Sequence, residues 1–305
     1  PAAGGGRLGK GWAELESRIA MSLGAHVPMR LTEGPGQASE IVHQAVDEGF
    51  RTIISVGGDG THHEILNGMM TANVPSQELR LGVLHAGTGG DFRRVLHADG
   101  VLDDNLKTLP RATSELVDVG AIRFMRDDGQ VEERYFLNMA SAGLAGHVDR
   151  IVNRSSKRLG GRATFFLATI QARANYGEAE VSIELDGTPL GSRTITNVMV
   201  ANAPFAGGGM KLAPDARLAD GLLEVVVVRA SSFLRSLRLV PKLYSGEHIH
   251  DPLVEVYRGR QIQLTTADEE PVLLDIDGES PGKLPAQFKV MPQAIRLLNV
   301  RPTCL

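Results

Sequence analysis

The sequence of 305 residues contains a single cysteine, Cys304, so the chain cannot form an internal disulfide bond. Proteins without disulfides are typical of reducing compartments, and we therefore expect a cytoplasmic location. No apolar run approaches the ~20 residues that a membrane-spanning helix requires. The given residues contain no signal-peptide pattern, and because they begin at Pro1 rather than at methionine, we expect further residues upstream of them.

The chain also lacks an excess of charge of either sign, because 36 acidic residues face 32 basic ones and the formal charge is −4. Without a long basic block, the composition excludes a protein that binds mainly to nucleic-acid phosphates. Apolar residues make up 42% and charged residues 22%, which excludes a disordered or fibrous chain. At ~150 residues per domain, the length predicts two domains.

Helix and strand patterns alternate in the first third of the sequence. Apolar residues recur at helical spacing over residues 12–23 and 41–46, and β-rich runs cover residues 50–56 and 79–84. This alternation predicts an α/β domain over residues 1–115, with a parallel sheet covered by helices.

Strand patterns dominate from residue 116, which predicts a β-rich second domain over residues 116–293, built from two packed sheets. Asp128-Gly129 and Asp186-Gly187 predict hairpin turns. The predicted strands cover residues 116–124, 134–140, 181–185, 194–201, 222–228 and 272–276, and the predicted helices cover residues 144–152, 162–176 and 233–243.

A glycine-rich loop, Gly57-Gly58-Asp59-Gly60-Thr61, follows the first predicted strand and precedes a helix. Three glycines let the backbone turn sharply and approach a phosphate, which the N-terminus of the helix also attracts. Asp59 would repel a phosphate, but it suits a Mg²⁺ ion that accompanies the phosphate. The alternative is a tight strand-to-helix turn with Asp59 as its N-cap.

A second loop of the same construction, residues 85–91, follows the next predicted strand and contains Gly87 and Thr88. Loops that follow neighbouring parallel strands lie together at the carboxyl edge of a sheet, where ligands bind in open α/β sheets. The two loops therefore predict a phosphate-binding site. Residues 4–9 also satisfy G-x-G-x-x-G, but no strand precedes them, which favours a flexible turn.

In the second domain, acidic residues stand at predicted turns. Asp220 precedes a glycine and a strand, a pattern typical of a plain turn or of a site for a hard cation. Asp275 and Asp277 are predicted to share a strand face, and Gly278 then breaks the strand and exposes Asp277. The alternative for this segment is a solvated hairpin. His62-His63 and His248-Ile249-His250 lack the other ligands of a zinc site, so we expect surface or capping roles for them.

Six motifs are spread along nearly the whole chain: the opening glycine loop at residues 1–6, G-G-D-G-T-x-x-E-x-x-N-G at residues 57–68, and residues 87–92, 136–143, 207–222 and 277–279. In this order they resemble the motifs of the diacylglycerol-kinase-type lipid kinases of the bacterial soluble branch. Two positions depart from the family pattern, because Gly90 stands in place of an asparagine and His85 in place of a proline.

The resemblance implies an ATP-binding domain of the NAD-kinase and phosphofructokinase type and a β-sandwich domain, with catalysis between them. Residues 294–305 are expected to return to the first domain. The resemblance implies Asp277 as the catalytic base, with Glu279 in the same motif. It also implies Mg²⁺ on the carboxylate of Asp220 and the carbonyls of Arg217 and Leu222. The residues implied for ATP are Thr32, Gly57, Gly58, Asp59, Gly60, Thr61, Glu64, Gly87 and Thr88.

The implied reaction transfers the γ-phosphoryl group of ATP to a lipid hydroxyl, with diacylglycerol at a membrane surface as the expected acceptor. The expected docking patch is the basic and apolar stretch over residues 154–167, and its alternative is a solvated loop leading into a core helix. Three other functions stay open: a sphingoid-base kinase, an NAD-kinase-like enzyme, and a non-catalytic protein that senses nucleotides or lipids. No pattern in the sequence indicates the oligomeric state.

Overall fold

The computed structural model describes residues 7–24, 27–86, 90–96, 102–154, 168–169, 171–172, 178–267 and 269–299. The chain forms two compact units, Pro1–Asp118 with Gln293–Leu305, and Val119–Pro292. The sequence predicts domain limits at residues 115 and 293. No helix in the described part of the chain is both long enough and apolar enough to span a membrane.

The first unit contains a parallel sheet with helices around it. β1 (Thr52–Gly57) pairs in parallel with β2 (Arg80–His85), and β2 pairs in parallel with the end of β14 (Gly282–Asn299). The predicted α/β arrangement is therefore confirmed. The helices are α1 (Arg7–Lys10), α2 (Trp12–Leu23), α3 (Gln37–Asp47), α4 (Asp59–Met70), α5 (Asp91–Val95) and α6 (Leu102–Thr108), and 3-10 turns lie at Ser76–Glu78 and Leu109–Arg111.

The apolar periodicity of α2 matches the core of the first unit. Leu15 and Ile19 are buried against Leu84 of β2 and Leu298 of β14. These side chains recur every three to four residues along α2, so one face of the helix covers the sheet.

The second unit is built mainly from antiparallel strands. Its elements are the second part of β3 (Thr113–Arg126), β4 (Val131–Phe136), β5 (Met139–Gly143), α7 (Leu144–Arg154), β6 (Ala179–Leu185), β7 (Thr188–Ala201), β8 (Phe205–Ala206), β9 (Met210–Lys211), β10 (Leu223–Arg229), α8 (Phe233–Ser245), a 3-10 turn at Glu247–His250, β11 (Val254–Gly259), β12 (Gln261–Thr266), β13 (Leu274–Ile276) and the first part of β14.

Strand β7 lies at the centre of this unit. Its first half pairs with β6, and its second half pairs with β10 on one side and β5 on the other. From there β6 leads to β12 and β14, β10 leads to β11, and β5 leads to β13. Side chains from these strands meet in one core that includes Phe124, Phe136, Val225 and Phe288. Strand layers that share a core are typical of a β-sandwich, as expected for the second domain.

Two sequence predictions need correction here. The predicted single strand over residues 134–140 is wrong, because β4 and β5 are separated at Leu137 and Asn138. The N–H groups of these two residues donate to the side chain of Asp277 instead of to a neighbouring strand. The sequence analysis also missed β11, β12 and β14, and the predicted helix over residues 162–176 falls mostly outside the described residues. The predicted turns at residues 128–129 and 186–187 are confirmed.

Candidate active site

The first glycine loop lies between β1 and α4, as the sequence predicts. At Gly57 a Cβ atom would lie 2.7 Å from Oγ1 of Thr61, so the loop can fold this tightly only with glycine at that position. Gly58 is the N-cap of α4, and Asp59 is its first helical residue. The alternative, in which Asp59 is the N-cap, is therefore wrong.

The carboxylate of Asp59 connects the two glycine-rich segments. Its Oδ2 accepts the N–H of Gly90 at 2.8 Å and the N–H of Asp91 at 3.4 Å. Its Oδ1 is buried and has no hydrogen-bond partner among the described residues. A buried carboxylate oxygen without a partner is energetically costly. Asp59 is therefore suited to a ligand that brings a cation or an N–H or O–H donor.

The two departures from the family pattern lie against each other. Gly90 has a φ of +91°, and a Cβ atom there would lie 2.9 Å from Nε2 of His85. The imidazole of His85 thus occupies the space that a side chain at position 90 would need, so the two replacements belong together. Of the other residues implied for ATP, Thr32 is half-buried in the loop before α3, whereas Gly87 and Thr88 lie outside the described residues.

The predicted surface role of His62 and His63 is wrong, because both side chains are buried. Nδ1 of His62 lies 2.6 Å from Oγ of Ser55, and its ring centroid lies 5.9 Å from that of His85. Burial lowers the pKa of His62 to about 4, so the ring is neutral at pH 7. The missed signal is the spacing, since His62 lies one helical turn before the buried Leu66.

The second half of the motif at residues 57–68 packs α4 against α3. Oε2 of Glu64 accepts the N–H of Ala38 at 3.2 Å, in the first turn of α3, and Oγ of Ser39 donates to the Glu64 carbonyl at 2.6 Å. A Cβ atom at Gly68 would lie 2.8 Å from Cα of Ser39. Glu64 and Gly68 therefore join α4 to α3, which explains why the motif extends beyond the loop.

The Asp-Gly-Glu motif of the second unit forms a two-residue hairpin turn. Asp277 and Gly278 have φ values of +49° and +92°, as Asp-Gly has in type I′ turns. Strand β13 ends at Ile276. The prediction that Asp275 and Asp277 share a strand face is therefore wrong, because Asp277 already lies in the turn.

Three backbone N–H groups hold the carboxylate of Asp277. Its Oδ2 accepts the N–H of Leu137 at 2.9 Å, and its Oδ1 accepts those of Asn138 and Met139 at 3.1 Å each. Leu137 and Asn138 form the connection between β4 and β5, and Met139 begins β5. The hairpin of the alternative is therefore present, but its carboxylate is not merely solvated, since several hydrogen bonds to a charged acceptor fix its position.

Two further acids flank this turn. Oε2 of Glu279 accepts a hydrogen bond from Nη1 of Arg134 at 3.1 Å. Asp149 of α7 is buried, and its side chain is hydrogen-bonded to that of Asp275. Burial, followed by the charge of Asp275, raises the pKa of Asp149 to about 10, so Asp149 keeps its proton at pH 7. The sequence analysis missed Asp149, because one acid beside the apolar Val148 in an amphipathic helix is not a distinctive pattern.

The residues implied for Mg²⁺ lie in the loop before β10. Asp220 is exposed, and its Oδ1 accepts the N–H of Leu222 at 3.1 Å, which closes a local turn. No group of three or more histidine, cysteine, aspartate or glutamate side chains in the described part of the chain is placed to hold a metal ion. One carboxylate and the carbonyls of Arg217 and Leu222 are nevertheless hard oxygen donors, and Mg²⁺ normally keeps several water ligands as well. These donors therefore fit Mg²⁺ in chemical type.

The histidines near this loop differ from one another. His248 is buried, with Nε2 at 3.0 Å from the carbonyl oxygen of Leu212, and burial lowers its pKa. The predicted surface role is therefore wrong for His248. His250 is exposed.

The chain combines an α/β unit, in which a glycine-rich loop follows a parallel strand, with a β-sandwich unit whose turn holds an oriented carboxylate. This combination is typical of a class of two-domain kinases. The comparisons with known proteins agree. Residues 1–122 match the family described as "Diacylglycerol kinase catalytic domain", and residues 138–299 match "YegS C-terminal NAD kinase beta sandwich-like domain". The chain belongs to the diacylglycerol kinase family, as the resemblance of its motifs predicts.

Individual relatives support this assignment. The chain is 31% identical to a diacylglycerol kinase of Bacillus subtilis (strain 168) over 254 residues, covering 83% of this chain and 79% of the relative. It is 28% identical to a diacylglycerol kinase of Staphylococcus carnosus (strain TM300) over 266 residues, covering 87% and 82%. A solved Bacillus anthracis (str. Sterne) structure shares the fold, with a TM-score of 0.78, 24% identity and coverage of 99% and 93%.

Proposed function

We propose that the protein is an ATP-dependent kinase that transfers the γ-phosphoryl group of ATP to the hydroxyl of a lipid, with diacylglycerol as the acceptor. The observation that carries the proposal is the carboxylate of Asp277, which three backbone N–H groups hold in an Asp-Gly-Glu turn. A general base must meet the reacting hydroxyl in one geometry, and a fixed carboxylate suits that role. Asp277 takes the hydroxyl proton as the substrate oxygen bonds to phosphorus and ADP leaves.

The glycine loops are proposed to hold the nucleotide. Phosphoryl transfer depends mainly on positioning and on electrostatic stabilisation, with little covalent chemistry for the protein to perform. The turn from Gly57 to Thr61 presents backbone N–H groups at the start of α4, which suits the phosphates. Mg²⁺, when bound, neutralises phosphate charge, and the buried Oδ1 of Asp59 would face it directly or through water. A second Mg²⁺, with a structural role, is proposed at Arg217, Asp220 and Leu222.

The test of this function is an acceptor panel. Purified protein is incubated with γ-labelled ATP, Mg²⁺ and, in separate reactions, diacylglycerol, sphingosine, NAD or water, with the lipids in mixed micelles and in vesicles. We expect labelled product with diacylglycerol. Preference for sphingosine would change only the substrate, phosphorylation of NAD alone would show an NAD kinase, and absence of transfer to every acceptor despite nucleotide binding would indicate a sensor.

We also propose that the protein works at the membrane surface and docks there through α8. Eight large apolar side chains are exposed among the described residues, and three of them, Phe233, Leu234 and Tyr244, belong to this one helix. The helix contains three basic residues and no acidic one, although acids outnumber bases in the whole chain. Basic and aromatic residues on one exposed helix are typical of interfacial binding to anionic lipid. The docking patch predicted at residues 154–167 lies outside the described side chains.

The helical positions support an anionic bilayer as the occupant. At 100° per residue, Leu234 and Arg238 share the most exposed face of α8, and Phe233 and Tyr244 lie together beside it. Arg235 and Lys242 lie on the other flank, where they pair with Asp251 at 3.5 and 3.1 Å. The face therefore combines insertable apolar groups with a cationic flank.

Leu234→Glu is expected to weaken the affinity for anionic vesicles, measured by sedimentation over a range of lipid concentrations, by about tenfold or more, because a buried leucine contributes roughly 1.5–3 kcal/mol. Glutamate is favourable in the first turn of a helix, so the fold should tolerate it. The matched control is Met21→Glu, since Met21 is 78% exposed on α2 and Leu234 is 71% exposed. Equal loss for both variants, or no vesicle binding by the wild-type protein, would contradict docking through α8.

A further inference from the structure

A hydrogen-bonded pair of carboxyl groups lies next to the turn that carries Asp277. One member is the buried Asp149 of α7, and the other is Asp275 of β13. The two elements approach closely because of Gly146, where a Cβ atom would lie 2.7 Å from the carbonyl oxygen of Leu274. Neither acid takes part in the proposed phosphoryl transfer.

Asp275 is bonded to the turn itself. Its Oδ1 accepts the N–H of Gly278 at 2.8 Å, and its Oδ2 accepts a hydrogen bond from Oγ of Ser141 at 3.3 Å. Gly278 directly follows Asp277 in the chain. The orientation of the Asp275 carboxylate therefore affects the turn that presents Asp277.

A proton, shared between Asp149 and Asp275, compensates the charge of the pair. Two carboxylates in contact in a buried site cannot both ionise without strong repulsion. Burial raises the pKa of both groups, and the charge of Asp275 adds to the effect on Asp149. Asp149 therefore keeps the proton and donates a hydrogen bond to Asp275. In the part of the chain that the structure describes, the acids here are not arranged to bind a metal ion instead.

We propose that Asp149 is a positioning residue, whose carboxyl group orients Asp275 so that Asp275 holds the Gly278 amide and fixes the turn that presents Asp277. This inference rests on the proposed function, because Asp277 is the base there. It predicts that the hydrogen-bond donor at position 149 matters and that its ability to ionise does not.

Two substitutions at this position separate the donor from the charge. Asp149→Asn keeps the size and a donor, and we expect its kcat to stay within about threefold of the wild-type value. Asp149→Val removes the donor, and we expect kcat to fall between about tenfold and a hundredfold with the KM for ATP unchanged. Wild-type kcat in Asp149→Val, or equal losses in both variants, would overturn the proposal.

Hydrogen exchange tests the proposal without depending on kinase activity. Hydrogen exchange at the Gly278 amide should be about tenfold faster in Asp149→Val than in the wild-type protein, and unchanged in Asp149→Asn. Unchanged exchange in both variants would overturn the positioning role even if the protein proves not to be a kinase. Conversely, faster exchange in a protein that phosphorylates no lipid would support the positioning role and refute only the proposed function.

The thermal stabilities of Asp149→Asn and of the wild-type protein should also diverge as the pH rises. An acid whose pKa is raised on folding costs stability as the pH rises above its unfolded value of ~3.9, and the loss grows until the folded pKa is reached. Asp149→Asn lacks this loss, so its Tm advantage should be larger at about pH 9 than at about pH 7. Burial lowers the pKa of His147, which stays neutral in this window. The other charged groups that act on the pair are Glu279, on Asp149, and Asp277, on Asp275. A Tm difference that does not grow with pH would contradict a proton shared in this pair.

Discussion

Asp277→Asn is expected to lower kcat by about 10²–10⁴-fold, which is the usual contribution of a general base. The amide keeps the shape of the side chain, and its oxygen can still accept an N–H from the β4–β5 connection. It loses the basicity that the lipid hydroxyl requires. The KM for ATP should change little, because the glycine loops proposed to hold the nucleotide belong to the other unit of the chain. Steady-state kinetics with diacylglycerol and Mg·ATP measure both quantities.

The chain offers a matched control for this variant. Asp186 also begins an Asp-Gly turn with a φ of +49°, and its Oδ1 accepts the N–H groups of Arg260 and Gln261 at 2.9 and 2.8 Å. Asp186→Asn therefore controls for loss of a carboxylate from an Asp-Gly turn, although only one oxygen of Asp186 accepts N–H groups, and it should leave kcat within about twofold of wild type. If Asp277→Asn kept more than about a tenth of the wild-type kcat, Asp277 would not be the base.

The sequence predicts the parts of the site that depend on short-range pattern. A buried strand followed by G-G-D-G-T and an amphipathic helix leaves few conformations for the loop, and β1, the loop and α4 lie where predicted. The contacts that complete the site join residues far apart in the chain. Asp59 binds the N–H of Gly90, and Asp277 binds that of Leu137. No local periodicity reports such contacts.

The errors in the predicted fold have several causes. Residues 134–140 have one continuous strand pattern, but the carboxylate of Asp277 takes the N–H groups at Leu137 and Asn138 and interrupts the ladder. Strand β14 contains Pro285 and Pro292, and proline is rare within strands, so the local sequence does not indicate this long strand. A surface or capping role is expected for His62 because the other ligands of a zinc site are lacking, whereas its position on α4 places it inside.

Asp59→Asn is expected to raise the KM for Mg·ATP by about tenfold to a hundredfold, because a charged contact to a ligand contributes roughly 1.5–3 kcal/mol. The asparagine oxygen can still accept the N–H of Gly90, so the connection between the two loops is largely kept. What the variant removes is the negative charge of the buried carboxylate, whose Oδ1 has no hydrogen-bond partner in the described structure. The KM for the lipid should stay near the wild-type value.

Calorimetric titrations separate the charge of Asp59 from its hydrogen bonds. We expect Asp59→Asn to weaken binding of Mg·ATP but not of ATP in the presence of a chelator, whereas Asp59→Ala should weaken both, because it also releases the Gly90 amide. Asp128→Ala is a suitable control, since Asp128 is an exposed turn residue whose Oδ1 accepts the N–H of Gln130 at 3.0 Å. Unchanged nucleotide affinity and unchanged Mg²⁺ dependence in Asp59→Asn would show that this carboxylate does not face the metal–nucleotide complex.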